Sequence, residues 1–433
     1  MHSHLQFSNK CIKLAPDILH EQIDPGFRYN TFRLFIKMSK FDFISKEIAA
    51  LKGRNLYRKM LTVDGPQGPH AIVNGKKVIL LCSNDYLSLA DHRKLKEAAK
   101  KAMEKYGFGA GASRLVSGNM AIHARLEEKI AEFKGCEAAI IFNSGYAANS
   151  GAIPALAGRS DFIYSDRLNH ASIVDGCLLS RAKLKRFKHS DMTSLAGLLK
   201  KNNGSGSDSS VKLIVTDGVF SMDGDIAPLR EISELAEKHD ALLMVDDAHG
   251  TGVLGENGRG SAEHLGVETD GIDIHMGTFG KALGSFGAYV AGKREIIDYL
   301  VNKSRNFIFS TALPPAVAAA SIAAIDIVGT EPERRIKLKK NSRFLRSGLK
   351  DLGFNTLNSE TPIIPVLTGD PEKAVMMMEL LFEKDLFAQA IRPPTVPEGE
   401  ARIRVTVTSG HSIPDLEKAL EAFKKAGKKI GII

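Results

Sequence analysis

The residues best suited to chemistry follow short apolar segments and lie among glycines. Lys281 occurs in GTFGKALG, where it is the single ionisable side chain. A buried ammonium group must be paired, neutralised or used chemically. Asp246 and His249 occur in VDDAHGTG, where an apolar strand is predicted to end, and His170 lies in the polar segment DRLNHAS. A lysine that forms a Schiff base and a carboxylate that keeps a ring nitrogen protonated are groups that pyridoxal phosphate (PLP) requires.

Hydroxyl and glycine residues near predicted strand ends form a second group. Ser144, Gly145 and Tyr146 follow the strand AAIIF, where a helix is predicted to begin. The free N–H groups of a helix start, together with a hydroxyl, bind phosphate. Ser221 follows another strand end, and Thr278 precedes the lysine by three residues. Each residue alone also fits an ordinary capping or loop role, so the prediction of a PLP site depends on their combination.

The elements that must position these residues alternate between helices and apolar strands. Continuously apolar strands separated by helices predict a parallel or mixed sheet covered on both faces. Ligands bind such a sheet at the carboxyl ends of its strands. The predicted helices of this region are 91–106, 119–134 and 227–239, and the predicted strands are 138–142, 212–218, 241–247, 273–277 and 287–292. Beyond residue 328 we predict helices near 331–351 and 371–385, a strand at 402–408 and a closing helix from Pro414.

The pattern also divides the chain. Residues 1–37 have no sustained periodicity and fit either a leader before a functional start at Met38 or a loosely held arm. We predict an N-terminal helix and strand segment at 38–80, a large PLP-binding domain at 81–327 and a small C-terminal α/β domain at 328–433.

Composition limits the remaining function classes. The net charge of +9 comes from Lys and Arg spread along 433 residues without a nucleic-acid-binding motif, which favours solvated helix faces over a nucleic-acid partner. Four cysteines without CxxC spacing indicate a reducing compartment and no metal site. No apolar stretch is long enough to cross a bilayer. We expect a cytoplasmic protein that does not bind a membrane.

The chain resembles the α-oxoamine synthases, PLP-dependent enzymes that condense an amino acid with an acyl thioester and release CO2. The resemblance extends from about residue 40 to 427 and implies fold type I. That fold has a mixed, mostly parallel seven-stranded sheet between helices, a smaller C-terminal α/β domain and an N-terminal helical segment. The motifs that carry the resemblance are SNDYL (83–87), NSGYAAN (143–149), LNHASIVDG (168–176), DGVFSMDGD (217–225), VDDAHGTGVLG (245–255), GTFGKALG (277–284), FSTALPP (309–315) and IRPPTVPEGEARIRVTVT (391–408).

The resemblance implies a role for each cofactor residue. Lys281 is expected to form the Schiff base and later to remove the substrate Cα proton, while Asp246 stays ionised against the pyridinium nitrogen. His170 is expected to stack on the ring, with His249 and Ser221 beside the 3′ oxygen. The residues expected to bind the phosphate are Ser144, Gly145, Tyr146, Thr278 and Thr311. The enzyme is expected to be a homodimer with shared active sites, in which the partner subunit supplies Thr311.

The expected substrates are L-alanine and a pimeloyl thioester, because residues 391–408 are most similar to the family member that serves biotin synthesis. Arg392 is expected to bind the alanine carboxylate with help from Asn84, and Arg58 to meet the far carboxylate of the pimeloyl chain. Ser88 and Ala112 stand where the family usually has glycine, which leaves the substrate open.

Three alternatives remain at this stage. They are glycine C-acetyltransferase or another member of the same family, a PLP-dependent aminotransferase, and a basic nucleic-acid-binding protein that retains only the fold.

Overall fold

The computed structural model of the protein describes residues 39–201 and 210–433. The chain divides into two compact units, residues 1–50 and 51–433. The predicted segment 1–37, together with Met38, lies outside the described residues.

The helices alternate with strands along most of the chain. The α-helices are α1 (Asp42–Gly53), α2 (Arg93–Tyr106), α3 (Ala121–Lys134), α4 (Gly145–Leu156), α5 (Ala171–Ser180), α6 (Met192–Lys201), α7 (Leu229–Lys238), α8 (Ser261–Leu265), α9 (Arg294–Lys303), α10 (Arg305–Ile308), α11 (Pro315–Thr330), α12 (Glu333–Asp351), α13 (Pro371–Glu383) and α14 (Ile413–Lys429). A π-helical turn covers Arg114–Gly118 and a 3₁₀ turn covers Thr269–Gly271. Within the described residues, no helix is both long and apolar enough to span a membrane.

The strands form three sheets. They are β1 (Val63–Asp64), β2 (His70–Val73), β3 (Lys76–Leu80), β4 (Ala138–Phe142), β5 (Phe162–Asp166), β6 (Lys183–Phe187), β7 (Lys212–Asp217), β8 (Leu242–Asp246), β9 (Ile274–Thr278), β10 (Ala288–Gly292), β11 (Ile363–Gly369), β12 (Leu386–Phe387), β13 (Gln389–Ile391) and β14 (Ala401–Thr406). Every predicted helix and strand is present, with ends within two residues of the predicted ones.

The central sheet has the strand order β4-β10-β9-β8-β7-β5-β6. Its strands are parallel except for β10, which pairs antiparallel with both β4 and β9. Successive residues of β7 enter two different apolar cores, Leu213 and Val215 on one face and Ile214 on the other. Both faces are therefore covered, and the predicted fold class is confirmed.

Two smaller sheets complete the fold. One has the order β1-β2-β3-β12, and the other is antiparallel with the order β11-β14-β13. In β14, Ile403 and Val405 enter the C-terminal apolar core, whereas Arg402 and Arg404 belong to the opposite face. Helix α11 runs across the predicted boundary at 327/328. The division into large and small domains stays a prediction.

Candidate active site

The candidate site is built at the carboxyl ends of three neighbouring parallel strands. Asp217 at the end of β7 is the register partner of Asp246 at the end of β8, and Asp246 is in turn the partner of Met276 in β9. Strand β9 ends at Thr278, and the glycine-containing turn that follows carries Lys281. The parallel arrangement therefore brings together polar residues that are far apart in the chain.

Lys281 and His249 form the centre of this site. The Lys281 Nζ atom lies 2.8 Å from Nε2 of His249. Burial lowers the pKa of Lys281 to about 8, although the negative charges of Asp246 and Asp217 act in the opposite direction. Burial and the charge of Lys281 hold the pKa of His249 well below its usual range, so the imidazole is neutral. At neutral pH about a tenth of the lysine is a free amine.

A buried chain of hydrogen bonds continues from His249. Its Nδ1 atom lies 2.6 Å from the hydroxyl of Tyr86, and that hydroxyl lies 3.3 Å from Oδ1 of Asn84. Tyr86 and His249 are 1% and 7% exposed. The lysine therefore ends a polar chain that reaches Asn84, one of the predicted substrate-binding residues.

Asp246 and His170 are also close enough to the lysine to interact with it electrostatically. Asp246 is 4% exposed, and its Oδ1 accepts a hydrogen bond of 3.0 Å from the N–H of Ala248. The backbone N–H of His170 donates to Oδ2 of Asp217 at 2.7 Å. Burial and the Asp246 charge raise the pKa of Asp217 well above its usual range. Burial lowers the pKa of His170, with Asp246 opposing the change and Lys281 reinforcing it.

The predicted phosphate-binding residues lie at two turns. Ser144 caps α4, its hydroxyl accepting from the N–H of Ala147 at 3.1 Å. The other N–H groups of the first turn have no partner within the helix. The Thr278 hydroxyl donates to the Gly287 carbonyl at 2.8 Å. A Cβ atom on Gly145 would stand 3.1 Å from the Met276 Cε, so only glycine lets this helix start approach the sheet without displacing that side chain.

Two further predicted phosphate ligands have other partners in the structure. The Tyr146 hydroxyl donates to the Asp175 carboxylate. Thr311 is exposed, and its carbonyl accepts from the side chain of Asn143 at 2.9 Å. The Thr311 carbonyl therefore contacts the residue that precedes the Ser144 cap.

The predicted carboxylate ligands Arg392 and Arg58 lie beside each other. The Arg392 guanidinium donates to the carbonyl of Asn55, and burial together with the Arg58 charge lowers its pKa. Arg58 donates to the Thr395 hydroxyl at 3.2 Å. These two contacts link the segment that contains Asn55 and Arg58 to the 392–395 turn.

Arg404 is a functional candidate that the sequence prediction missed. This 7% exposed side chain donates to Asn84 Oδ1 at 3.2 Å, to the Thr406 hydroxyl at 3.0 Å and to the Ser221 carbonyl at 2.5 Å. Its charge lowers the pKa of both Lys281 and His249. The signal in the sequence was RIRVTVT, where arginines alternate with residues that must face an apolar core.

The donor set fits PLP. It supplies an amine with a lowered pKa, a buried strand-end carboxylate, two neutral imidazoles and a helix start of the kind that binds anions. These are the groups needed to hold an aldehyde, a pyridine nitrogen, a ring hydroxyl and a phosphate.

Comparisons with known proteins agree with this fit. The profile of the family described as aminotransferase class I and II matches residues 76–423. The chain belongs to this family. The 8-amino-7-oxononanoate synthase of Geotalea daltonii is 57% identical over 389 residues, which are 89% of this chain and 98% of that protein. Identity this high over nearly the whole length confirms that the chain is an α-oxoamine synthase.

Two solved structures show the same fold. A lysine-to-alanine variant of serine palmitoyltransferase from S. paucimobilis, with PLP and myriocin bound, has a TM-score of 0.85 at 34% identity and covers 91% of this chain and 99% of its own. The 8-amino-7-oxononanoate synthase of Francisella tularensis has a TM-score of 0.70 at 30% identity and covers 81% of this chain and 98% of its own. Both belong to the group that the sequence motifs indicated.

Proposed function

We propose that this protein uses PLP to condense L-alanine with a pimeloyl thioester, giving 8-amino-7-oxononanoate, CO2 and a free thiol in biotin synthesis. The observation that carries the proposal is the pairing of Lys281 with His249 beside Asp246 at the strand ends. The 57% identity to a relative named 8-amino-7-oxononanoate synthase supports the choice of substrates.

Lys281 is the proposed base. When bound, PLP stabilises negative charge on the amino-acid Cα, and the protein must then move one proton to and from that atom. The neutral amine of Lys281 accepts this proton at Nζ, and the pKa of about 8 makes the transfer reversible near neutral pH. Asp246 supplies a fixed negative charge for the pyridine nitrogen.

The hydrogen bonds from Lys281 through His249 to Tyr86 can reverse direction when the lysine gains or loses a proton. When Lys281 is charged, it donates to Nε2 of His249, which donates through Nδ1–H to Tyr86. When the lysine is neutral, Tyr86 donates to Nδ1 and His249 donates to the amine. Tyr86 and His249 therefore stabilise both protonation states of the base.

Arg404 is the proposed ligand of the alanine carboxylate, together with Asn84. Its guanidinium is fixed by three hydrogen bonds and lies close enough to Lys281 to affect its pKa. A fixed guanidinium fork orients a carboxylate as well as attracting it. Arg392, beside Arg58, is the second candidate for this role.

The proposed active unit is a cytoplasmic homodimer in which Thr311 serves the neighbouring site. Phe286 and Phe309, which flank the lysine turn and Thr311 in sequence, are 55% and 70% exposed in the isolated chain. Large exposed apolar side chains are typical of subunit interfaces. Mixing inactive Lys281→Ala with an inactive Thr311 variant should restore part of the activity; no recovery after verified subunit exchange would contradict shared sites.

The substrate assignment is tested by thiol release. L-alanine, glycine and L-serine are each offered with pimeloyl, acetyl, succinyl and palmitoyl thioesters, and Lys281→Ala serves as the inactive control. The proposal expects the highest kcat/KM for L-alanine with the pimeloyl donor. Preference for glycine with the acetyl donor would instead indicate glycine C-acetyltransferase. Transfer of the amino group without any thioester would indicate an aminotransferase.

A further inference from the structure

We propose that Asn149 and Ser172 form a hydrogen-bonded bridge that joins Asp246 to His170 and positions both residues for PLP. Neither bridging residue belongs to the set predicted from the sequence. The proposal requires the PLP site, but it is independent of which amino acid and thioester the enzyme uses.

The bridge begins at the carboxylate of Asp246. Asn149, in α4, is 0% exposed, and its Nδ2 donates to Oδ2 of Asp246 at 2.6 Å. The same nitrogen donates to the hydroxyl of Ser172 at 2.9 Å. An amide nitrogen carries two hydrogens, so both of its donors are used. The carboxylate is held from two sides, because its Oδ1 accepts from the N–H of Ala248.

The bridge ends at the imidazole of His170. The hydroxyl of Ser172, which accepts from Asn149, lies 2.8 Å from Nδ1 of His170 and has its own hydrogen free to donate there. The backbone N–H of Ser172 points at the same ring nitrogen from 3.3 Å. Two donors at Nδ1 place the ring proton on Nε2. His170 is therefore held in one tautomer, with a fixed ring plane.

The unpaired oxygen of Asn149 indicates why an amide occupies this position. Its Oδ1 is buried and has no hydrogen-bond partner among residues 39–201 and 210–433. Turning the amide over would set Oδ1 against the carboxylate of Asp246 and would turn the Ser172 hydroxyl hydrogen away from His170, because that hydrogen would then be needed for Oδ1. The structure thus leaves an acceptor unsatisfied, a costly arrangement, in order to keep both donors in place. A residue selected only for packing would not need an amide nitrogen.

Asn149→Ala, Asn149→Asp and Ser172→Ala test the bridge. Asn149→Asp keeps the size of the side chain but replaces the donor by a carboxyl group that faces Asp246. Asn341 offers matched controls, because it is 2% exposed and donates two hydrogen bonds, to the carbonyls of Thr408 and His411. The measurements are the dissociation constant for PLP, by titration of the apoprotein, and the melting temperature of the apoprotein.

Loss of a hydrogen bond to an ionised group should raise the dissociation constant about tenfold in Asn149→Ala, and at least as much in Asn149→Asp. Asn341→Ala and Asn341→Asp should lower the melting temperature while changing PLP affinity less than twofold. Because Asn149 and Ser172 act through one bridge, the double alanine variant should lose less affinity than the product of the single losses.

The bridge would be overturned if the dissociation constant for PLP increased less than fivefold in Asn149→Ala. It would also be overturned if the losses of PLP affinity in the single variants multiplied in the double variant. If Asn149→Ala does not fold, Ser172→Ala, which removes one hydroxyl, decides by the same threshold. Absence of PLP binding to the wild-type protein would instead overturn the proposed function, so the two failures are distinguishable.

Discussion

Replacing Lys281 by methionine should reveal the energetic cost of burying the lysine. In the folded protein burial lowers the lysine pKa from 10.5 to about 8. Between these values the unfolded chain binds a proton that the folded apoprotein does not. By linkage, the free energy of unfolding must then rise with pH, and the separation of the two pKa values corresponds to about 3 kcal/mol. Lys281→Met has similar length and lacks this contribution.

The assay is urea denaturation of both apoproteins at pH 7 and pH 10.5, at one fixed protein concentration. The free energy of unfolding of the wild type, relative to Lys281→Met, should increase by about 3 kcal/mol from the lower pH to the higher. The comparison between proteins removes the pH dependence of groups that both share. A relative change below about 1 kcal/mol, or one of opposite sign, would refute the reasoning.

Substitutions at Arg404 and Arg392 test the proposed carboxylate ligand, and substitutions at Asp247 and Lys134 test a buried ion pair. Arg404→Lys should reduce kcat/KM for alanine about 10- to 100-fold, because lysine cannot reproduce the guanidinium fork; a larger loss in Arg392→Lys would reverse our assignment. Asp247→Asn should destabilise the protein by about 3 kcal/mol in urea, because it leaves buried Lys134 without its carboxylate 3.7 Å away. Adding Lys134→Met should restore part of this loss, and no recovery would contradict the ion-pair explanation.

Much of the fold follows from short-range sequence patterns. Apolar strands of about five residues separated by amphipathic helices define the sheet, and polar residues at the strand ends define its ligand-binding edge. The edge strand β6, with the sequence KLKRF, was not predicted, because its alternating charges lack the apolar run of a central strand. Its neighbour β5 was also not predicted, although all its residues are buried.

The candidate cofactor residues could be proposed from the sequence because the chemistry required is carried by single residues in short motifs. Lys281, Asp246 and His249 each follow a recognisable strand, and parallel strands place their carboxyl ends together. The sequence therefore determined the residue types at the site and the edge of the sheet where they meet.

Only the tertiary structure could distinguish Arg404 from Arg392. Both belong to one motif, but β14 presents Arg404 to Asn84, more than 300 residues away, whereas Arg392 meets the carbonyl of Asn55. The bridge through Asn149 likewise depends on packing α4 against the end of β8. Such contacts depend on how separate elements pack in three dimensions, which local periodicity does not encode.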